Sequence, residues 1–269
     1  MKRIILILIC LAGLSWVVTA QSGPLANISH DPGLCCIFHR WGFIGDSLCS
    51  GEHEYFKEDG KKAYREFYEY SWGQRICAAI GGATGTVYSQ GGETAPGWIK
   101  NFWDYPRNHN GDVDAKKDPK QAYIMALGCN DRKNTPVVGS VATDVNMEDY
   151  HKNADSFAGA YAGIIQRIRS IKPDCYFFVV TMPNSGNEKN EVYNQVIRDV
   201  AARFERVYLI DLYRYAPSYA QGSEFREKYF LGGHLNAAGY QQTAWMFMTY
   251  INHIIETNPR DFDKVAFTL

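Results

Sequence analysis

The stretch Gly45-Asp46-Ser47-Leu48 follows a run rich in apolar residues, 35–44, and this arrangement is the main guide to the fold. A serine just past the end of an apolar strand, with a glycine close before it, is typical of a nucleophile on a tight strand-to-helix turn. Such a turn lifts the hydroxyl out of the sheet and brings backbone N–H groups beside it. Gly, Asp and Ser are also ordinary turn residues, and Ser47 alone would equally suit the cap of a following helix. The chemistry of this stretch therefore depends on what else lies at the same edge of the sheet.

Three short fragments later in the chain carry residues of matching chemistry. In chain order they are Gly91-Gly92-Glu93-Thr94, Gly128-Cys129-Asn130-Asp131 and His234-Leu235-Asn236. Together with residues 45–48 they resemble the GDSL, or SGNH, hydrolase family, whose name lists its Ser, Gly, Asn and His. The resemblance extends from about residue 35 to about residue 255.

The resemblance implies a role for one residue in each fragment. Ser47 resembles the nucleophile, Gly92 the donor of a backbone N–H, Asn130 a side-chain donor, and His234 the general base. The N–H groups of Ser47 and Gly92 and the amide of Asn130 would then form an oxyanion hole. A histidine is the side chain best suited to accept the serine proton near neutral pH. Each residue also has an ordinary alternative: Asn130 within a turn, His234 as a structural loop histidine and Gly92 in a flexible loop.

The third catalytic residue of the family has no counterpart at its usual position. The family has an aspartate three residues before its histidine, and this chain has Leu231 there. Leucine can neither fix the tautomer of an imidazole nor stabilise an imidazolium. The substitutes are a backbone carbonyl that accepts from His234 Nδ1–H, or the carboxylate of Asp211, Glu224 or Glu227. We expect a Ser-His dyad in which a backbone carbonyl holds the histidine.

Apolar segments alternate with helix-like segments along the chain, which predicts a parallel sheet between two layers of helices. The predicted strands are residues 35–44, 85–89, 122–127, 175–182 and 207–212. Helical spacing of apolar residues predicts helices near residues 72–80, 157–168 and 190–204 and from Asn236 onward. The predicted architecture is a three-layer α/β/α fold with a five-stranded, flavodoxin-like parallel sheet, as in SGNH hydrolases. Ser47, Gly92, Asn130 and His234 fall at the ends of predicted strands or before the last helix, where such folds place their sites.

The first twenty residues have the composition of an export signal. A positively charged start precedes an apolar centre at residues 4–18, and small residues lead up to Ala20. The apolar run is about 15 residues, shorter than the roughly 20 that span a bilayer, which favours cleavage after Ala20 over a membrane anchor. We therefore expect a single hydrolase domain at residues 21–269, exported to the periplasm or the extracellular space, without stable membrane insertion after cleavage. The formal net charge of −1 gives no reason to expect a nucleic-acid partner.

The cysteines indicate neither a metal nor a cofactor. Six of the seven would remain after cleavage, and their spacing fits no zinc-binding pattern. Buried free thiols and disulfides are both compatible with the sequence, and Cys49 and Cys129 both lie near the predicted site.

The function favoured by these observations is that of an exported serine esterase, which removes small acyl groups, above all acetyl, from carbohydrate. The alternatives are a catalytically impaired binding protein on the same fold, and a thioesterase or lysophospholipase with the same chemistry. A degenerate site has no reason to keep Ser47, Gly92, Asn130 and His234 together, which favours an enzyme. Aromatic residues are frequent in 54–72 and 98–105, where they would stack on sugar rings or pack in the core. The sequence does not determine the acyl group, the alcohol or the oligomeric state.

Overall fold

A five-stranded parallel sheet forms the centre of the molecule. The computed structural model describes residues 23–135 and 137–265. Along the chain, the strands of the sheet are β1 (Arg40–Gly45), β4 (Thr84–Ser89), β5 (Ala122–Ala126), β6 (Tyr176–Val180) and β7 (Val207–Ile210). Their spatial order is β4-β1-β5-β6-β7, which is the flavodoxin-like order with its reversal at β1. Two antiparallel hairpins lie outside this sheet, β2 (Glu52–Phe56) with β3 (Lys62–Glu66) and β8 (Phe230–Leu231) with β9 (His234–Leu235).

Helices connect the strands and cover the sheet. They are α1 (Trp72–Ile80), α2 (Ala95–Trp98), α3 (Asp131–Asn134), α4 (Val141–Asp144), α5 (Phe157–Ile171), α6 (Lys189–Arg203), α7 (Leu212–Tyr215), α8 (Glu224–Tyr229) and α9 (Ala237–Thr257). Asn236 caps α9 as predicted, because its side chain accepts a hydrogen bond from the N–H of Gly239. Within the described ranges, no helix combines the length and the hydrophobicity needed to cross a membrane.

The two faces of the sheet bury separate sets of side chains. Alternate residues of one strand belong to different core clusters, so that Ile124 packs towards α1 and α9 while Tyr123 and Met125 pack towards α2, α5 and α6. This alternation is the expected result of a strand covered on both faces. The predicted three-layer α/β/α architecture and the five-stranded parallel sheet are confirmed.

The first predicted strand begins too early. Residues Gly33–Ile37 form a short 3₁₀ helix, and β1 starts only at Arg40. Pro32 accepts a hydrogen bond from the N–H of Cys35 and so favours the turn, and Cys35 packs in the α9-side core cluster. The apolar run at residues 35–44 therefore contains two elements: a 3₁₀ helix first, and the strand β1 only from Arg40 onward.

The predicted signal sequence lies outside the described residues, because the description begins at residue 23. Its cleavage after Ala20 stays a prediction.

Candidate functional site

Ser47 lies in a hydrogen-bonded turn directly after β1. The carbonyl of Asp46 accepts hydrogen bonds from the N–H groups of Cys49 (2.9 Å) and Ser50 (3.0 Å). This fold-back requires the glycine that ends β1, since a Cβ at Gly45 would lie 2.4 Å from the Cβ of Cys49. The prediction of a helix after Ser47 is wrong: the turn runs through Gly51, whose φ of +74° ends any helical geometry, into the hairpin strand β2.

Asp46 stabilises the turn from inside. Its Oδ1 accepts a hydrogen bond from the N–H of Leu48 (3.0 Å), and its Oδ2 accepts one from Asn130 Nδ2 (3.4 Å). Burial raises the pKa of Asp46 to about 7, although the bond from Leu48 opposes this shift. The residue before Ser47 thus links the ends of β1 and β5.

Gly92 lies in the loop after β4 and has a positive φ of +75°. Nothing described lies within 4 Å of the place where its Cβ would be, so the loop presents bare backbone there. The preceding N–H, of Gly91, donates to Glu66 Oε1. Glu66 also accepts hydrogen bonds from the hydroxyl of Tyr68 (2.7 Å) and pairs with His109 Nδ1 (3.1 Å). The carboxylate of Glu66, at the end of β3, therefore stabilises the loop after β4 that contains Gly91 and Gly92, which we call the glycine loop.

Asn130 follows β5 and begins the short helix α3. Besides its contact with Asp46, Asn130 Nδ2 donates to the carbonyl of Glu93 (3.2 Å), in the loop that also contains Gly92. The next residue, Asp131, is fully buried and accepts a hydrogen bond from the N–H of Ala95 (2.9 Å). These bonds place the Asn130 amide beside the glycine loop.

His234 is the first residue of β9, directly across the hairpin from Leu231. The two-residue turn between them consists of Gly232, with φ +65°, and Gly233. Gly233 N–H donates to Glu54 Oε2 (3.1 Å), and Glu54 Oε1 in turn pairs with Lys62 Nζ (2.6 Å). A Cβ at Gly232 would lie 2.1 Å from the same carboxylate. The turn therefore needs glycine so that Glu54 can approach its backbone.

The imidazole of His234 contacts a carboxylate that the sequence analysis did not consider. Glu52 Oε1 lies 3.1 Å from His234 Nε2, and both side chains are largely buried. His234 Nδ1 is also buried, and it has no hydrogen-bond partner among the described residues. The expected backbone carbonyl at Nδ1 is therefore wrong: the hairpin turn directs Gly233 towards Glu54, and the carboxylate contact of the ring lies at Nε2.

The electrostatics of this pair favour a neutral histidine beside an ionised glutamate near pH 7. Burial lowers the pKa of His234 below its usual 6.5, and the negative charge of Glu54 only partly opposes this. Burial, with the nearby charge of Glu66, raises the pKa of Glu52 to about 6. An ionised Glu52 can only accept a hydrogen bond, so we assign the proton of the neutral ring to Nε2. Nδ1 then keeps its lone pair and is the basic atom of the ring.

The acids weighed from the sequence lie elsewhere. Asp211 caps α7 through the N–H of Arg214 (3.2 Å) and pairs with Arg198 Nε (2.9 Å). Its role is the ordinary capping role that such a residue has at the end of a strand. Glu224 and Glu227 lie in the first turn of α8. The carboxylate that lies beside the His234 ring is that of Glu52, at Nε2.

Three of the four predicted site residues share one cleft. Ser47, Asn130 and His234 all line it, at the carboxyl edge of the sheet. Gly92 does not line this cleft, and its loop is joined to it through the bond between Asn130 and Glu93. The arrangement brings a hydroxyl, an amide donor and an imidazole to one concave surface.

The aromatic segments divide between core and surface. Trp98, Phe102 and Trp103 are buried, as the packing alternative predicted. Tyr64 is half exposed, and its ring meets that of His234 edge to face at 5.4 Å between centroids. Phe56, at the end of β2, is 67% exposed. Of these two exposed aromatics of the β2–β3 hairpin, Tyr64 therefore borders the histidine.

The residues that sequence reasoning missed are three glutamates of the β2–β3 hairpin: Glu52, Glu54 and Glu66. One signal could have found two of them. Glu52 and Glu54 are two residues apart in a segment five to seven residues after Ser47, so in a strand they share one face. Two carboxylates on one face of a strand, this close to the predicted nucleophile, are candidates for a contact with the predicted catalytic histidine.

The described cysteines are all free thiols: Cys35, Cys36, Cys49, Cys77, Cys129 and Cys175. Across residues 23–135 and 137–265, His, Cys, Asp and Glu side chains form no group of three or more that could hold a metal ion.

The fold and the cleft define the class: a flavodoxin-like α/β protein with a serine, an asparagine and a histidine at the carboxyl edge of its sheet. The model of the GDSL-like lipase/acylhydrolase family matches residues 43–242. Because this match includes most of the chain, the protein belongs to that family. No curated protein matches the sequence.

Solved structures with a similar fold include three carbohydrate esterases. A carbohydrate esterase family 2 enzyme from Corynascus thermopiles (Myceliophthora fergusii), with a carbohydrate-binding domain, is 17% identical with a TM-score of 0.52 over 81% of this chain and 67% of that one. A family two carbohydrate esterase from Clostridium thermocellum, in complex with cellohexaose, is 18% identical with a TM-score of 0.54, and the match covers 81% of this chain and 65% of that one. The acetyl xylan esterase Est2A from the rumen bacterium Butyrivibrio proteoclasticus is 16% identical with a TM-score of 0.52 over 81% and 64%. This chain thus spans about two thirds of each relative, and identities this low establish similarity of fold.

Glu54→Gln should lower the melting temperature at neutral pH but not in acid. The pKa of Glu54 is lowered in the folded protein, chiefly by its bond to Lys62, so its stabilising effect is present above the unfolded value near 4.5. That effect is lost as the pH falls through the folded value. We expect a loss of about 2–4 °C at pH 7, typical of one such bond in a domain of this size, and almost none at pH 3.

Thermal unfolding followed by circular dichroism at both pH values measures this difference. The matched control is Glu58→Gln, at an exposed position of the same hairpin. An equal loss at pH 7 and pH 3 would show that the Glu54 charge does not hold the His234 turn.

Proposed function

We propose that the protein is an exported serine esterase that hydrolyses small acyl esters of carbohydrate. The observation that carries the proposal is that Ser47, Asn130 and His234 line one cleft, with the Glu52 carboxylate 3.1 Å from His234 Nε2. Membership of an acylhydrolase family supports ester hydrolysis as the reaction. The carbohydrate esterases with the same fold and the exposed Tyr64 ring beside His234 support a sugar as the alcohol.

In the first half of the reaction, Ser47 Oγ attacks the carbonyl carbon of the ester and its proton passes to the imidazole of His234, which lines the same cleft. The carbonyl oxygen then carries a negative charge. The N–H groups of Ser47 and Gly92 would stabilise this charge, and so would the amide of Asn130 if it exchanges its 3.4 Å bond to Asp46 for one to the oxyanion. One such donor is typically worth about 3–4 kcal/mol in the transition state. The C–O bond to the alcohol breaks, and the alcohol leaves with the proton from His234.

In the second half, a water molecule attacks the acyl group on Ser47, and His234 accepts the water proton. The acyl–oxygen bond breaks, Ser47 recovers its proton from His234, and the acid leaves. Glu52 acts through His234 and is a positioning residue. Its negative charge keeps the ring proton on Nε2 and stabilises the imidazolium that forms twice in each cycle.

An organophosphonate probe tests the nucleophile directly. The probe should label the purified mature protein at Ser47 and abolish hydrolysis of p-nitrophenyl acetate, because it forms a stable bond with an activated serine. Peptide mass spectrometry locates the label, and Ser47→Ala is the matched control. Labelling at another residue, or hydrolysis that Ser47→Ala retains, would contradict the assignment. A folded protein that neither reacts nor hydrolyses any ester would instead favour a binding protein.

Glu52→Gln should lower kcat by about 10²-fold at pH 8 and move the acid limb of the pH–rate profile to lower pH. The rate falls because the imidazolium loses its counter-charge. The limb moves because removal of a negative charge favours the neutral ring, which lowers the pKa of His234, and because the ionisation of Glu52 near pH 6 disappears.

Steady-state kinetics with p-nitrophenyl acetate from pH 5 to 9 give both readouts, and Glu58→Gln is again the control. If the rate of Glu52→Gln fell in proportion to lost folded protein, with the acid limb unmoved, Glu52 would be only a structural residue.

A further inference from the structure

An apolar cavity of about 60 Å³ lies between the sheet and α9, next to the cleft. Its walls come from the ends of two central strands, from α1 and from α9. They include Ala126, Leu127, Val180, Trp72 and Phe247. Apart from Leu127, these side chains belong to or pack against the core cluster on the α9 side of the sheet.

The cavity adjoins the atoms that the proposed reaction uses. Asp46 and Leu48, on either side of Ser47 in sequence, line both the cavity and the cleft. Cys129, which precedes Asn130, also lines both. The acyl chain of an ester bound to Ser47, with its carbonyl oxygen near Asn130, would therefore lie next to this apolar cavity.

Most polar groups of the cavity wall are hydrogen-bonded or are neutral thiols, whereas the buried hydroxyl of Thr243 has no hydrogen-bond partner among the described residues. Thr181 Oγ1 donates to Asp211 Oδ1 (3.0 Å) and accepts from the N–H of Tyr213 (3.0 Å). Burial raises the pKa of the Cys49 thiol and raises that of Cys129 to about 12, so both are neutral at physiological pH. Because the rest of the wall is mostly apolar, such a surface suits a hydrocarbon chain and would bind a charged group poorly.

We propose that this cavity is the acyl subsite of the enzyme and takes a short, unbranched hydrocarbon chain. The inference rests on the proposed esterase function and specifies the acid half of its substrate. An apolar cavity of about 150 Å³ holds the six carbons of benzene, so about 60 Å³ holds two or three carbons. Beyond the carbonyl carbon, that corresponds to a propionyl or butyryl group. Chains of eight carbons do not fit.

The rate ratios between esters of different acyl length test the subsite. Burying one CH₂ group typically improves transition-state binding about fourfold, so the wild-type kcat/KM for p-nitrophenyl butyrate, which has two more CH₂ groups, should exceed that for the acetate by about fifteenfold. The value for the octanoate should fall below that for the butyrate. These ratios compare substrates within one enzyme and do not depend on the fraction of folded protein.

Two opposite substitutions probe the volume of the cavity. Ala126→Val adds two carbons at the end of β5 and should bring the butyrate-to-acetate ratio down to near one. Val180→Ala removes two carbons from β6 and should move the preferred ester from butyrate towards hexanoate. Ala202→Val, at an exposed position on α6, is the matched control and should keep the wild-type ratios. Val180→Ala also provides the test if Ala126→Val fails to fold.

The outcomes separate the subsite from the proposed function. A wild-type enzyme that hydrolyses the acetate at least as well as the butyrate, or ratios that neither cavity variant changes, would overturn the acyl subsite alone. A folded wild-type protein that hydrolyses none of the esters would overturn the esterase function and the subsite with it.

Discussion

The contact between the Glu52 carboxylate and the His234 imidazole is the interaction on which the candidate site depends. It joins a hairpin that follows the first strand of the sheet to a hairpin that precedes the last helix. Glu52 is the carboxylate that touches the ring, and without it an imidazolium at this buried position would keep only the more distant charge of Glu54. The family's usual aspartate would supply this carboxylate from the histidine's own loop. Here it comes from the nucleophile's side of the site.

The same hairpin also places the other loops of the site. Three of its glutamates each contact a different element: Glu52 the imidazole, Glu54 the turn at Gly233, and Glu66 the loop at Gly91. Glu52 and Glu66 are direct neighbours across the two strands, and like charges in such a pair repel. The repulsion contributes to the raised pKa of Glu52, which titrates near 6. The arrangement therefore stores some electrostatic strain at the residue whose charge the proposed mechanism requires.

The regular elements could be predicted from the sequence because their causes are local. The periodicity from Phe157 onward and the cap at Asn236 depend on residues within a few turns of each other, and continuous apolar runs mark strands that are covered on both faces. The end of β1 could be placed because Gly45 and Ser47 belong to a recognisable turn. The predicted start of β1 was wrong, because residues 35–37 are as apolar as a strand but form part of a 3₁₀ helix.

The contact of Glu52 with His234 was not predicted, because it depends on how two distant hairpins pack, although the spacing of Glu52 and Glu54 after Ser47 made them candidates. No residue near His234 in the sequence indicates Glu52. Leu231, whose side chain is exposed, shows only that the acid does not come from the family's usual position. The acyl cavity was equally hidden, since Ala126, Val180 and Phe247 are ordinary core residues in the sequence. Their common boundary with Ser47 is a property of the packed molecule.

The tautomer of His234 tests the central claim most directly. Imidazole ¹⁵N chemical shifts of the labelled protein at pH 7.5 distinguish a ring protonated at Nε2 from one protonated at Nδ1, and the signal missing in His234→Asn identifies this histidine among the seven. An ionised Glu52 beside Nε2 predicts a neutral ring with its proton on Nε2 and a basic Nδ1. A neutral ring with its proton on Nδ1 would contradict the assigned role of Glu52.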